Sequence, residues 1–94
     1  MRHHIIVKWN SKEKAEPHVY QGIFKLFQEA LDIPGVHDVT FHTSVIDRPN
    51  RYDLMICIDM DREALDRFDA SVVHARWKEE YGGFIEQKTI FDCD

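Results

Sequence analysis

Nine residues in the middle of the chain, Tyr52-Asp53-Leu54-Met55-Ile56-Cys57-Ile58-Asp59-Met60, form the strongest strand signal in the sequence. Side chains alternate between the two faces of a strand, so residues 52, 54, 56, 58 and 60 share one face. That face is apolar or aromatic throughout, and the other face still carries Met55 and Cys57 between two aspartates. Strands that are covered on both sides typically have apolar residues on both faces. The stretch therefore predicts a sheet strand with neither face given over to solvent.

Three other segments predict strands around this one. Val36 to Ile46 alternates in the same way and is joined to the first stretch by the short loop 47–51. Two strands joined by a short loop predict an antiparallel hairpin. His3 to Trp9 is rich in β-branched residues, and Ile85 to Asp92 alternates as the last strand.

Helical segments separate these strands. From Pro17 to Leu31, apolar residues recur at spacings of three and four, which predicts an amphipathic helix that Ile33-Pro34-Gly35 ends. After the central strand, Asp61 is expected to cap a short helix. Ser71 is expected to cap a second short helix, which ends at Gly82-Gly83.

The order of these elements predicts an α+β fold. The order β-α-β-β-α-(α)-β suits the ferredoxin-like, split βαβ arrangement. In that arrangement a four-stranded antiparallel sheet carries its helices on one face. A chain of 94 residues is the size of one domain, so we expect a single domain over residues 1–94.

The second face of such a sheet would carry apolar side chains, namely Ile6, Met55, Cys57 and Ile90 or their neighbours of opposite parity. A large apolar face exposed to water usually marks an interaction site. We expect a second copy of the chain to cover it, in a homodimer formed through the sheet face.

The composition argues against several function classes. Twelve Lys and Arg against seventeen Asp and Glu give a net charge of −5. Because phosphate contacts need a clustered positive surface, we expect no nucleic-acid partner. No apolar run is long enough to span a bilayer, the N-terminus does not resemble a signal peptide, and the two cysteines form no CxxC pattern. These features indicate no membrane partner and a reduced, cytoplasmic protein.

The six histidines do not predict a metal site. His3 and His4 are adjacent on a strand, so their side chains point to opposite faces and cannot easily share one ion. The sequence has no Cys, His and Asp cluster at ligand spacing. We therefore expect neither a metal ion nor another cofactor.

Five segments, taken in chain order, carry a family resemblance. They are His3 to Trp9, Ile33-Pro34-Gly35-Val36, Tyr52-Asp53, Phe68 to His74 and Thr89 to Asp92. Together they resemble the stress-responsive α/β-barrel family, called Dabb. That family opens with a histidine and an apolar strand that ends in Lys and an aromatic residue. It continues with an Ile-Pro-Gly-Val turn, a tyrosine before an apolar strand, an aromatic residue followed by His-Pro-x-His, and a similar last strand.

The resemblance implies a ferredoxin-like fold whose two copies pack sheet to sheet as a dimeric α/β barrel. For the cyclase-like members it implies acid–base catalysis without a cofactor, in an apolar pocket between sheet and helices. By position, His74 corresponds to the general base of those members and His3 to their opening histidine. Phe68 stands where they have a tyrosine that polarises the substrate, and Ser71 stands where they have the first histidine of the motif. The chain therefore lacks a phenol and an imidazole of that site.

The candidate site has two parts: catalytic residues His74 and His3, and ligand-binding residues Phe68, Ser71, Trp77 and Tyr81. Trp77 and Tyr81 recur at helical spacing, so they line either a pocket for a small apolar or aromatic ligand or the core. A catalytic His74 should line a cavity, with one ring nitrogen hydrogen-bonded and the other free to take a proton.

Three functions stay open at this point. The first is a small homodimeric stress-response-type protein with cyclase-like acid–base catalysis, in which His74 is the base. The second is a non-catalytic dimer that binds a small ligand or acts in a stress response. The third is a monooxygenase-like protein that oxidises an electron-rich aromatic compound without a cofactor. The missing tyrosine favours the second.

Overall fold

The computed structural model describes residues 1–11 and 15–94. Its elements, in chain order, are β1 (Arg2–Trp9), α1 (Pro17–Gln28), a 3-10 turn (Glu29–Asp32), β2 (Val36–Thr43), β3 (Leu54–Met60), α2 (Ala64–Asp69), α3 (Val72–Tyr81), a second 3-10 turn (Gly82–Phe84) and β4 (Ile85–Cys93). None of the helices in these residues has the length and apolar character needed to cross a membrane.

The four strands form one antiparallel sheet in the order β2-β3-β1-β4. β3, whose sequence is apolar on both faces, lies in the interior of the sheet, as does β1. β1 and β4 are neighbours although they come from the two ends of the chain. The predicted α+β fold with a four-stranded antiparallel sheet is confirmed.

The core lies between the helices and one face of the sheet. Alternate residues of β1 and β3, among them Ile5 and Ile56, are buried against the helices. Phe27 of α1 lies at the centre of this layer, with its ring against those of Phe68 and Trp77. Burying one side chain of this size stabilises the fold by about 1.5–3 kcal/mol.

The opposite face of the sheet, which we call the outer face, carries the second apolar set. Ile6 lies directly opposite Met55 across β1 and β3, and His4 lies opposite Cys57. These four residues are half-buried, and Phe91 on β4 is 59% exposed. Ile6, Met55 and Cys57 therefore lie on the predicted face.

Ile90 was expected on the outer face together with Ile6, Met55 and Cys57, with their neighbours of opposite parity as the alternative. The structure places Ile90 on the helix side instead. It pairs with Ile5, whose side chain is buried against the helices. Residues directly opposite each other on antiparallel strands share a face. The register between β1 and β4, which includes an irregularity between Lys8 and Trp9, sets this outcome.

The hairpin strands are shorter than predicted. β2 ends at Thr43 rather than at Ile46, and β3 begins at Leu54 rather than at Tyr52. The Ser44 hydroxyl donates to the carbonyl of Ile46 at 2.9 Å and accepts from its N–H at 3.2 Å. A serine that bonds to nearby backbone in this way competes with strand pairing.

Asp61 does not cap α2. Its Oδ1 accepts a hydrogen bond from Nε2 of His37 at 2.9 Å, and α2 begins at Ala64 with no side-chain cap at Glu63. The carboxylate that was expected to cap α2 is therefore hydrogen-bonded to His37 of strand β2 instead.

Candidate functional site

One cavity brings together side chains from both ends of the chain. It has a volume of about 450 Å³ and lies between β1 and β4 on one side and α2 and α3 on the other. We call it the helix-side cavity. Its lining residues are His3, Ile5, Leu65, Asp69, His74, Trp77, Lys78, Lys88, Ile90 and Asp92.

His3 enters this cavity because of the β1–β4 register. The register places His3 directly opposite Asp92, and Nδ1 of the ring lies 2.5 Å from Oδ1 of the carboxylate. An ionised carboxylate only accepts hydrogen bonds, so Nδ1 carries the proton and donates it. His3 is the one buried polar residue of the described core, at 5% exposure.

The second ring nitrogen of His3 has no hydrogen-bond partner among the described residues. The only hydrogen bond of the His3 ring to a described residue is the one to Asp92. Every fully buried side-chain nitrogen or oxygen among the described residues has a hydrogen-bond partner, so an unpartnered Nε2 is not fully buried. Because His3 lines the helix-side cavity, Nε2 is open to that cavity. In the neutral form of the ring with the proton on Nδ1, Nε2 carries a lone pair.

His74 reaches the same cavity from the first turn of α3. Ser71 caps this helix, and its Oγ accepts a hydrogen bond from the His74 backbone N–H at 3.2 Å. Burial, and next the positive charge of Lys78, lowers the pKa of His74 below its usual value. The ring is therefore neutral at pH 7, and its nitrogens bond to no described side chain or backbone group.

Phe68 holds the two imidazoles in place. Its side chain is fully buried, with its ring centroid 5.6 Å from that of His3 and 5.4 Å from that of His74. Both contacts are edge-to-face, the geometry that aromatic rings favour. Phe68 thus packs against both histidines but is not itself part of the cavity lining, and it has no hydroxyl where the resemblance implies a tyrosine.

The other candidate residues lie in the cavity lining, in the core or at a helix end. Trp77 belongs both to the cavity lining and to the core, because it lines the helix-side cavity and is only 1% exposed. Ser71 lies outside the cavity lining, because its hydroxyl donates to the Phe68 carbonyl at 2.6 Å and caps α3. Tyr81 also lies outside it, with its ring tilted against that of Trp77 and its phenol oxygen close to Gly22 of α1.

Sequence reasoning missed the charged part of this site. Asp92, Lys88 and Ile90 share one face of β4, and Asp69 and Lys78 approach from the helices. The alternation of β4 groups residues 88 and 90, but only the pairing with β1 shows which face they take. No three His, Cys, Asp or Glu residues in the described ranges are grouped so that they could hold a metal ion.

No family model matches the chain, and no curated protein matches it. Solved structures do match. A dimeric ferredoxin-like protein of unknown function from Thermobifida fusca YX aligns with a TM-score of 0.76 at 14% identity, over 96% of this chain and 85% of that one. The chain has the ferredoxin-like fold.

Two further structures with this fold show the range of proteins that share it. A Dabb family protein from Mesorhizobium loti aligns with a TM-score of 0.64 at 14% identity, over 99% of this chain and 93% of that one. A hydroxynitrile lyase from Passiflora edulis aligns with a TM-score of 0.72 at 14% identity, over 96% of this chain and 87% of that one. The ferredoxin-like expectation drawn from the Dabb resemblance is confirmed.

Proposed function

We propose that this protein catalyses proton transfer on a carbonyl compound in the helix-side cavity, without a cofactor. The observation that carries the proposal is the meeting of two imidazoles in one cavity, one of them anchored by a carboxylate. His3 and His74 lie 71 residues apart in the chain and face the same space. A histidine oriented by a carboxylate, with its other nitrogen free, is the usual form of a protein general base.

The hydrogen bonds favour His3 as the base, whereas the family resemblance gives that role to His74. In the proposed step, a C–H bond next to the carbonyl group breaks and its electron pair moves toward the carbonyl oxygen, forming an enolate. The proton goes to Nε2 of His3, and Asp92 compensates the charge of the imidazolium. Return of the proton from Nε2 to carbon completes the cycle.

His74 is assigned to the carbonyl oxygen. A neutral imidazole can donate a hydrogen bond from one nitrogen, and enolate formation needs a donor aimed at the oxygen where charge develops. Burial and Lys78 lower the pKa of His74, which keeps the ring in this neutral form. His74 would thereby polarise the carbonyl group, the role that the resemblance gives to a tyrosine phenol and that Phe68 cannot perform.

Exchange of carbon-bound hydrogen tests the proposal directly. We expect the protein to accelerate the loss of the α-hydrogen signals of phenylacetone in D₂O, followed by proton NMR at neutral pD. His3→Gln should slow this exchange by at least about 100-fold, the usual contribution of a general base, and His74→Gln should slow it as well. His18→Gln is the matched control, because His18 is exposed on α1 and its one ion pair with a described residue is with Glu16. Exchange at the buffer rate, or equal rates for the wild type and His3→Gln, would overturn the proposal.

A second candidate, non-catalytic binding of a small apolar or aromatic ligand, is favoured by Phe68. Its buried ring gives the site no phenol, and Ile5, Leu65, Trp77 and Ile90 make the cavity partly apolar. In that case a ligand would bind while His3→Gln left the exchange rate unchanged. The monooxygenase-like function stays a prediction, since no described residue distinguishes it.

We further propose that the chain is a Dabb-type protein, with a stress-related role, that forms a cytoplasmic homodimer through the outer face. Support for the dimer comes from the apolar residues of that face, Ile6, Met55 and Phe91, and from structural neighbours that are dimeric. An apolar face of this kind is usually covered by a partner.

A further inference from the structure

An imidazole and a thiol lie side by side near the middle of the outer face. His4 and Cys57 are directly opposite each other on β1 and β3, the two interior strands of the sheet. Nε2 of His4 lies 3.5 Å from Sγ of Cys57, and both residues are half-buried. Burial raises the pKa of the Cys57 thiol, so without a metal the thiol is protonated and donates to Nε2.

The distance between these two atoms matches that between two ligands of one tetrahedral metal ion. Zinc binds cysteine sulfur at about 2.3 Å and histidine nitrogen at about 2.0–2.1 Å, which at a tetrahedral angle places the two ligand atoms about 3.6 Å apart. Sγ of Cys57 and Nε2 of His4 already lie close to this separation. A zinc ion can therefore replace the thiol proton, which is released to solvent, while both ligand atoms stay near their present positions.

Each of the two candidate ligands also has a hydrogen-bond partner of the kind that supports a metal ligand. Nδ1 of His4 donates to the Phe91 carbonyl at 2.9 Å, which leaves the lone pair on Nε2. The hydroxyl of Thr40, which lies opposite Cys57 on β2, hydrogen-bonds to the thiol and favours its thiolate form. Metal-binding histidines almost always donate their other N–H to such an acceptor, which fixes the orientation of the ring.

Two ligands from one chain are too few for zinc, which takes four in a structural site. No group of three His, Cys, Asp or Glu residues in the described part of the chain could complete the set. A second copy would supply the other two, because a two-fold axis brings the same patch of both chains together. Packed sheets lie about 10 Å apart, so the plane midway between them, about 5 Å from each sheet, is within reach of a cysteine-bound metal.

We infer that the outer face binds a Zn²⁺ ion between two copies of the chain, through His4 and Cys57 of each copy. This inference rests on the homodimer of the proposed function and adds a metal to its interface. Two cysteines and two histidines are a common ligand set of structural zinc sites. The pair lies 53 residues apart in the chain, so the sequence shows no ligand spacing. The site is on the opposite side of the sheet from the helix-side cavity and takes no part in the proposed proton transfer.

Metal titration of the whole protein tests the site. After treatment with EDTA and a reductant, the protein should bind Zn²⁺ in equilibrium dialysis up to one ion per two chains. Co²⁺ in place of Zn²⁺ should give the visible bands of a tetrahedral ion and a sulfur-to-cobalt charge-transfer band in the near ultraviolet. No binding, saturation at one ion per chain, or a cobalt spectrum without the charge-transfer band would overturn the inference.

Variants locate the ligands. Cys57→Ser and His4→Gln should each lower the affinity for Zn²⁺ by more than about 100-fold, the upper end of what loss of an outer-shell partner costs. Thr40→Val removes such a partner, so it should lower the affinity by about 10-fold and keep the cobalt spectrum. Cys93→Ser is the matched control, because Cys93 is also half-buried but lies opposite Arg2 at the end of β1. Equal affinities of the wild type, Cys57→Ser and His4→Gln would contradict the site.

The metal site, the dimer and the proton transfer fail separately. Sedimentation velocity should show a dimer with Zn²⁺ and a weaker dimer, held by the apolar residues alone, after EDTA treatment. A dimer that binds no Zn²⁺ would refute the metal site alone, and Zn²⁺ bound to single chains would refute the shared site. Exchange of phenylacetone should proceed at the same rate with and without Zn²⁺. Zinc binding without exchange would refute the proton-transfer chemistry alone.

Discussion

The same residue type has different surroundings on the two faces of the sheet, as the adjacent residues His3 and His4 show. His3 points to the helix side, where it is buried, bound to Asp92 on one nitrogen and open to a cavity on the other. His4 points to the outer face, where Nδ1 donates to the Phe91 carbonyl at 2.9 Å and Nε2 lies 3.5 Å from Sγ of Cys57. Both nitrogens of His4 are therefore engaged by the protein itself.

Strand parity, rather than residue type, separates the imidazole that we propose to be reactive from a structural one. On the helix side a buried imidazole leaves one nitrogen without a partner among the described residues. On the outer face an imidazole bridges three strands, β3, β1 and β4, and contributes to the surface proposed to bind a second copy.

Met55→Asp on the outer face should have the largest effect. In the proposed dimer two copies of Met55 lie at one interface, and each buried carboxylate without a partner costs several kcal/mol. Sedimentation velocity at micromolar concentration should show the wild type at twice the mass of one chain and Met55→Asp as single chains. Gln21→Asp, on the exposed surface of α1, should remain dimeric. A wild-type protein that sediments as a single chain would refute the proposed dimer.

Phe68→Ala tests the helix side through the support of its two histidines. Removing a fully buried phenylalanine should lower the free energy of unfolding by about 3–5 kcal/mol, measured by urea denaturation. This loss in the free energy of unfolding should not depend on protein concentration once the contribution of dimerisation has been subtracted. Val72→Ala is the control, because Val72 is 72% exposed on the same helical corner and should cost about 0.5 kcal/mol or less. A loss below about 1 kcal/mol for Phe68→Ala would contradict the packing described.

Asp92→Asn tests the anchor of His3. The amide can still accept a hydrogen bond but carries no charge, so we expect a loss of about 1–2 kcal/mol in the free energy of unfolding. The exchange rate should fall further, because nothing then compensates the imidazolium. Asp94→Asn removes an exposed carboxylate that pairs with Arg62 and should affect neither quantity much. Unchanged exchange in Asp92→Asn would argue against the pair.

The smallest effect is the separation of two histidine titrations. Burial lowers the pKa of His74, whereas the hydrogen bond to Asp61 raises the pKa of His37. NMR titration should therefore give a midpoint below 6.5 for His74 and above 6.5 for His37. Since the unfolded chain binds a proton at residue 74 more readily, this group destabilises the fold as pH falls from 6.5 through its lowered pKa. The reverse order of midpoints would contradict the two environments.

The elements of the fold could be predicted because they depend on local patterns. The alternation in Tyr52–Met60 and the three-and-four spacing after Pro17 report burial along one element at a time. Ser71 was likewise predicted as a helix cap, and the structure confirms it. Asp61 failed as a cap because its partner, His37, lies on another strand.

The candidate site was predictable only in part, because it depends on pairing between distant strands. His3 and His74 were found from a positional match to a family. Asp92 gave no signal, since its importance arises from lying opposite His3 across 89 residues of chain. A register irregularity at Val36–Asp38 similarly places Val36 in the core, which alternation along β2 does not show.

The most direct test of the central claim compares neighbouring residues in one assay. His3→Gln and His4→Gln make the same chemical change at adjacent positions on opposite faces of β1. Their rates of α-hydrogen exchange in phenylacetone should differ by at least about 100-fold, with His4→Gln close to the wild type and His3→Gln close to buffer. Equal rates in two folded variants would contradict the assignment of chemistry to the helix-side cavity.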